Sequence, residues 1–128
     1  MDNPLARKAQ ADLIVDRTAQ QLMMLVQEAA KELRPFPPFP GAFFTNAIEV
    51  SLAGAERAEF GCIVVGEDGG LYELEMKIDF SDEMADIVQS RDETLKKLED
   101  LHPNDVIILA SNALTQITEL LLEQQAGH

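Results

Sequence analysis

Gly70-Leu-Tyr-Glu-Leu-Glu-Met-Lys-Ile-Asp-Phe80 is the stretch that decides the fold. Tyr72, Leu74, Met76, Ile78 and Phe80 alternate without interruption against Glu73, Glu75, Lys77 and Asp79. Successive side chains on a strand point to opposite faces, so this spacing predicts a strand with one apolar and one polar face. Upstream, Ala58 to Val65 places Phe60, Cys62 and Val64 on one side. Only Ile63 and Val65 are apolar on the other side, which is therefore expected to be mostly solvated. Ala47 to Ala53 sets Ile48, Val50 and Leu52 against Glu49 and Ser51. Gly54-Ala55-Glu56 and Gly66–Gly70 supply the turns, the latter with glycines free to take positive φ. Short connections predict an antiparallel meander over residues 46–80, with Ala58–Val65 in the middle. Gly66–Gly70 lacks the lysine and hydroxyl of a phosphate loop and carries two carboxylates, so it reads as a hairpin turn.

On the N-terminal side of the meander lies a crossover, residues 34–45. It holds four of the six prolines together with Phe36, Phe39, Phe43 and Phe44. Proline removes a backbone donor and keeps the residue before it out of the helical region, so the segment predicts a stiff connector whose rings plug one end of the core. Before it, residues 4–33 predict one long helix, with Asn3 as N-cap and Pro4 in the first turn. Val15, Ala19, Leu22, Val26, Ala29 and Leu33 recur at spacings of 4, 3, 4, 3 and 4, a seam on one helix side. Beyond the meander, residues 82–124 predict helix in two or three pieces. Ser81 caps the first; Ser90-Arg-Asp-Glu93 matches a capping box and predicts a restart near residue 91, with Leu95, Leu98 and Leu101 inside it. Pro103 opens the last, whose seam is Ile107, Ala110, Leu114, Ile117 and Leu121.

The expectation is a single two-layer α+β domain over residues 1–128: a long N-terminal helix, a three-stranded meander, and two or three C-terminal helices on one sheet face. Lengths conflict within it. A helix of about 30 residues spans about 45 Å, whereas strands of seven to ten residues reach only about 24–34 Å. The surplus apolar helix needs cover, which predicts a homodimer with Val15, Ala19, Leu22, Val26, Ala29 and Leu33 at its interface.

The net charge of −13 is unevenly spread. Residues 1–34 hold five acids and five bases, and the remainder carries 18 acids against 5 bases. Such a surface repels phosphate backbones and anionic lipid, which argues against nucleic-acid and membrane partners. No apolar run approaches the roughly 18 residues of a membrane span. No secretory leader is apparent, and the single cysteine, Cys62, cannot form an internal disulfide, so a cytoplasmic location is expected.

Chemistry-bearing patterns are sparse. Asp82, Glu83 and Asp86 are the densest acidic cluster and the candidate metal ligands, with Glu83 and Asp86 three apart on one helix face. Glu83-Met-Ala-Asp86 resembles the Glu-x-x-Asp half of the MazG-like nucleotide pyrophosphatases, which would imply magnesium-dependent triphosphate hydrolysis. That family's other half, Glu-Glu-x-x-Glu, meets only Gln27-Glu28-Ala-Ala-Lys31 here, and its fold is all-helical. The resemblance covers about ten residues. His102 and His128 have no second ligand at zinc spacing, and no cofactor is implied. In architecture and acidity the reading resembles the small acidic secretion chaperones, without a shared motif. The expected function is a non-catalytic, acidic, dimeric protein-binding or chaperone-like module. Its alternatives are an immunity- or antitoxin-like inhibitor of a basic partner and the magnesium-dependent nucleotide hydrolase.

Overall fold

Asn3 Oδ1 accepts the N–H of Leu5 at 3.0 Å and Pro4 fills the first turn, so helix α1 starts where its cap dictates. It runs Pro4–Glu32 in this computed structural model, which describes residues 3–54, 62–78 and 91–127. Four strands follow: β1 Ile48–Glu49, β2 Cys62–Val65, β3 Leu71–Ile78 and β4 Arg91–Lys97. They form one antiparallel sheet in the order β1-β2-β3-β4. Helix α2, Pro103–Ala126, completes an α+β fold. The predicted turn at Ala55-Glu56, the start of the Ala58–Val65 strand, the Asp79–Phe80 end of the third strand and the helix expected from residue 82 to 90 lie outside the described residues.

The largest correction concerns residues 91–97, read as helix and found as strand β4. Locally, Ser90 and Glu93 satisfy a capping box. Tertiary pairing overrides that preference. Among the described residues β2 pairs with β3 from Leu71 to Leu74, and β4 supplies the other ladder from Tyr72↔Lys97 to Ile78↔Arg91. The register sets Glu73 opposite Lys96 and Leu74 opposite Leu95, both favourable cross-strand combinations. The C-terminal helical segment therefore reduces, among the described residues, to α2 alone. β1 is also shorter than predicted. Its ladder covers Ile48 and Glu49, with one further bond from Val50 N–H to Ile63 O at 2.8 Å.

The second correction concerns which sheet face is dry. Ile63, Val65, Leu71, Ile48 and Val50 pack with Val26, Ala30 and Leu33 of α1 and with Leu109, Ala110, Ala113 and Ile117 of α2. Ile63 and Val65, expected at a solvated face, thus form the floor of the main core. Tyr72, Leu74, Cys62 and Val64 face the opposite way, where Phe39, Ala42 and Ala47 cover them. The crossover is a third layer, which a reading with helices as the only cover misses. Phe39 N–H to Thr45 O at 3.0 Å closes it into a compact loop, and Gly41 turns it with φ of 87°.

α1 and α2 run side by side in the same direction. Asp16, Ala19, Gln20 and Met23 line one groove with Leu101, Pro103 and Val106 at the start of α2. At the other end, Gln124 accepts from Arg34 N–H at 3.2 Å and donates to Pro35 O at 3.0 Å. Against the expectation that no apolar stretch approaches a membrane span, α2 is long and apolar enough by length and composition to cross one. In the fold, Leu109, Ala110, Ala113 and Ile117 have no exposed surface, which makes α2 the central core helix.

Candidate functional site

Two surfaces stand out: the open side of the helical layer and a cleft beside the crossover. The helical side follows from lengths. Since α2 starts beside Asp16–Met23, the first turns of α1 extend past it, and every residue from Asn3 to Ile14 is exposed. That overhang of about 11 residues spans about 16 Å at 1.5 Å per residue. Leu5 is 78% exposed and Ile14 63%. Leu25 and Met24, further along, are also large exposed apolar side chains. Of the 18 most apolar consecutive residues in α2, only 22% are buried within the chain.

The predicted interface seam lies elsewhere on α1. Ala19, Val26 and Leu33 are buried in the chain's own interior, Leu22 and Ala29 are half-buried against the core, and Val15 is half-buried. The buried Ala19, Val26 and Leu33 cannot meet a second copy without opening the core. The surplus apolar surface is on a neighbouring face, marked by Ile14 and Leu25, which the dominant seam masks in the sequence.

The cleft is built by three elements meeting. Gly66–Gly70 forms the β2–β3 hairpin, closed by Gly66 N–H to Gly70 O at 3.0 Å and Gly69 N–H to Gly66 O at 2.9 Å. Asp68 braces it, accepting from Gly70 N–H at 2.9 Å and from the Tyr72 hydroxyl at 2.5 Å. Gly69 takes φ of 80° and lies against α1; an added Cβ would fall 2.9 Å from Gln27 Cγ and 3.0 Å from its backbone N. Facing the hairpin, Asn46 Nδ2 donates to Glu67 at 2.7 Å. From β4, Glu93 accepts the N–H of Phe43 at 2.7 Å, the N–H of Phe44 at 3.1 Å and the Thr45 hydroxyl at 2.7 Å, tying the crossover to the sheet edge. Phe44, Thr45, Asn46, Glu67, Asp68, Tyr72 and Leu95 then line a cleft of about 370 Å³.

The hydrogen bonds around the cleft favour the ionised forms of Asp68 and Glu93. The Tyr72 hydroxyl, Gly70 N–H and the charge of Lys97 hold the Asp68 carboxyl below its usual value against the opposing effect of partial burial. Partial desolvation pushes Glu93 up, but the Phe43 N–H, the Thr45 hydroxyl and the Phe44 and Thr45 N–H groups together outweigh it and hold it low. Tyr72 moves the other way, raised by its bond to Asp68. The half-buried Cys62 thiol is pushed up by burial and by the charge of Glu49, which suppresses the reactive thiolate.

The candidate metal ligands Asp82, Glu83 and Asp86 lie outside the described residues. Among the described residues no group of three or more His, Cys, Asp or Glu side chains could hold a metal ion. Glu28 and Glu32 are both exposed on α1. His102 is a cap: its Nδ1 accepts from Asn104 N–H at 3.1 Å, the role its place before Pro103 suggests.

Sequence reasoning missed two further devices. Gln116 donates to Glu49 O at 2.7 Å and accepts from Ser51 N–H at 2.9 Å. Asn112 donates to Ser51 O at 2.8 Å and Ala53 O at 3.0 Å. These amides, four apart on one side of α2, take the place of a neighbouring strand along β1. The spacing was readable; its target was not. For Glu93 no local signal exists, because its partners lie about 50 residues away. Compared with known protein families, with curated sequences and with solved structures, the chain matches none.

Proposed function

We propose that this chain is an acidic, homodimeric, non-catalytic protein-binding module of chaperone-like type, acting in the cytoplasm. The observation that carries the reading is the overhang of α1, exposed at every residue from Asn3 to Ile14 with Leu5, Leu13 and Ile14 on it. A helical projection of this length gains little from its own hydrogen bonds, and most helical stability comes from packing an apolar face. A second copy supplies that packing. Outside residues 1–34 the excess of 18 acids over 5 bases suits basic client segments and repels nucleic acid. Light scattering tests the dimer: a particle of twice 14.1 kDa is expected, and a 14.1 kDa particle at high concentration removes the reading.

The cleft favours a second reading, inhibition of a basic partner in the manner of an immunity or antitoxin protein. Glu67 and Asp68 beside the rings of Phe44 and Tyr72 match a guanidinium or ammonium group by charge and by cation–π attraction. Calorimetry with a folded basic protein and with an unfolded amphipathic peptide separates the two. Glu67→Gln weakens only the first interaction if the cleft is used.

A further inference from the structure

The sequence predicts that all four crossover rings plug the core, yet the phenylalanines meet opposite fates. Phe36 packs against the main core and Phe39, 8% exposed, covers Val64 and Leu74. Phe43 and Phe44 stand 51% and 68% exposed. Burying a phenylalanine is among the larger single gains of folding, so two adjacent rings left in solvent need something that keeps them there. Glu93 does this. Its carboxylate accepts the N–H of Phe43, the N–H of Phe44 and the Thr45 hydroxyl, which fixes the backbone from which both rings project. Phe43 stands edge-on to Phe44, with ring centres 6.3 Å apart, and braces it.

The strands extend that apolar surface. Met76 is the cross-strand partner of Glu93, and Leu95 that of Leu74. Alternation puts Met76 and Leu95 on the crossover side with Leu74, and both are exposed there. With Phe43 and Phe44 they make an apolar shelf bordering the cleft, which Phe44 and Leu95 also line. Exposed apolar patches with a polar rim mark interaction surfaces. The rim says what this one meets. Glu67 Oε1 is held by Asn46, and among the described residues Oε2 has no partner. Asp68 is engaged on both oxygens, by Gly70 N–H and the Tyr72 hydroxyl, and Lys97 offsets part of its charge, so Glu67 is the open acceptor. A planar guanidinium can donate to Oε2 while stacking on the Phe44 ring, a geometry a compact ammonium does not match. Outside residues 1–34 the chain carries 18 acids against 5 bases, which favours a cationic partner's approach.

We infer that the crossover face is a docking surface for a segment of a partner protein in which an arginine stands next to an apolar side chain. The guanidinium enters the cleft at Glu67, the apolar side chain lies on Phe44, Met76 and Leu95, and Glu93 is the positioning residue that keeps the shelf formed. This rests on the second reading, a basic partner at the cleft, and specifies the segment the cleft takes.

The test titrates the full, isotope-labelled chain with the capped dipeptide acetyl-Arg-Leu-amide and follows amide chemical shifts. Shifts are expected at Phe44, Asn46, Glu67 and Leu95, with a dissociation constant on the order of 1 mM. Citrulline in place of arginine keeps the shape, removes the charge and weakens binding about tenfold; Glu67→Gln and Phe44→Ala each weaken it about fivefold. Glu93→Ala, with the amides of the main core unmoved, weakens it about as much as Phe44→Ala, and unchanged affinity there overturns the positioning role. Equal binding of the arginine and citrulline peptides, or shifts confined to other surfaces, overturns the inference. Sensitivity to Glu67→Gln without sensitivity to Phe44→Ala overturns the shelf and leaves the cleft reading standing. So does a silent dipeptide titration alongside Glu67-dependent binding of the folded basic protein. Shifts at Phe44 and Leu95 that follow the concentration of the chain alone seat a second copy on the shelf and overturn the partner segment.

Discussion

The two halves of α1 share one helix, yet they live in different environments. From Val15 to Glu32 the helix is held by α2, by the sheet and by the β2–β3 hairpin, with Val26 fully buried. From Asn3 to Ile14 none of the described residues covers it. The apolar seam stops at Val15: the next positions along its spacing are Asp12 and Lys8, which pair with each other at 2.8 Å, so the difference lies in the sequence as well as in where α2 starts. Periodicity reports which side of a helix could be buried. Whether it is buried depends on how far the neighbouring element reaches.

Substitutions should break that contrast cleanly. Val26→Asp puts an unpaired charge into the main core and is expected to cost about 4 kcal/mol or more, enough to unfold a domain of this size. The same change at Leu5 should leave the monomer's unfolding free energy within about 0.5 kcal/mol of parent. Equal destabilisation at both positions, measured by urea unfolding, would show the two halves to be equivalent. Next in size is Gly69→Ala, where a methyl group meets the α1 backbone and the residue must hold positive φ. About 2 kcal/mol is expected from that overlap and strain, against a Gly41→Ala baseline of roughly 1 kcal/mol from φ alone. Gln116→Ala leaves the Glu49 carbonyl and the Ser51 N–H without their side-chain partner and should cost about 1–2 kcal/mol.

How far the sequence discloses this molecule varies by element. Both long helices and their caps are legible because Asn3, Pro4 and Pro103 act within a turn and the apolar period is long. The alternation within Gly70–Phe80 gives the strand found at Leu71–Ile78, but alternation does not say which face meets the helices. That depends on Phe39 and Ala47 arriving from the crossover to cover Val64 and Leu74. β4 was hidden for a related reason: Arg91–Lys97 is a strand because β3 offers it a ladder, and its own residues are consistent with helix. The seam spacing on α1 shows which helix side is apolar, but not that Ala19, Val26 and Leu33 are taken up by the chain's own core, since α2 and the sheet reach them from far along the sequence.

The smallest expected effect concerns pH and sharpens the contrast between braced and unbraced acids. Asp68 and Glu93 are held low in the fold, so they stabilise it above their ordinary values of 3.8 and 4.5. That contribution is lost as pH falls through their lower folded-state values. Melting midpoints of Tyr72→Phe and parent should therefore differ near neutrality and converge in strong acid. A gap that widens on acidification would contradict the assigned bracing.

The amides of Asn112 and Gln116 carry one last consequence. With carbonyls and N–H groups of residues 49–53 already engaged by α2, that margin of the sheet offers no template to another backbone. Among the described residues the other margin of the sheet is β4, where the charged Asp92, Glu93, Lys96 and Lys97 discourage casual pairing. A sheet blocked at one margin can add a neighbour but cannot propagate a fibre, so the fold carries its own stop against runaway polymerisation.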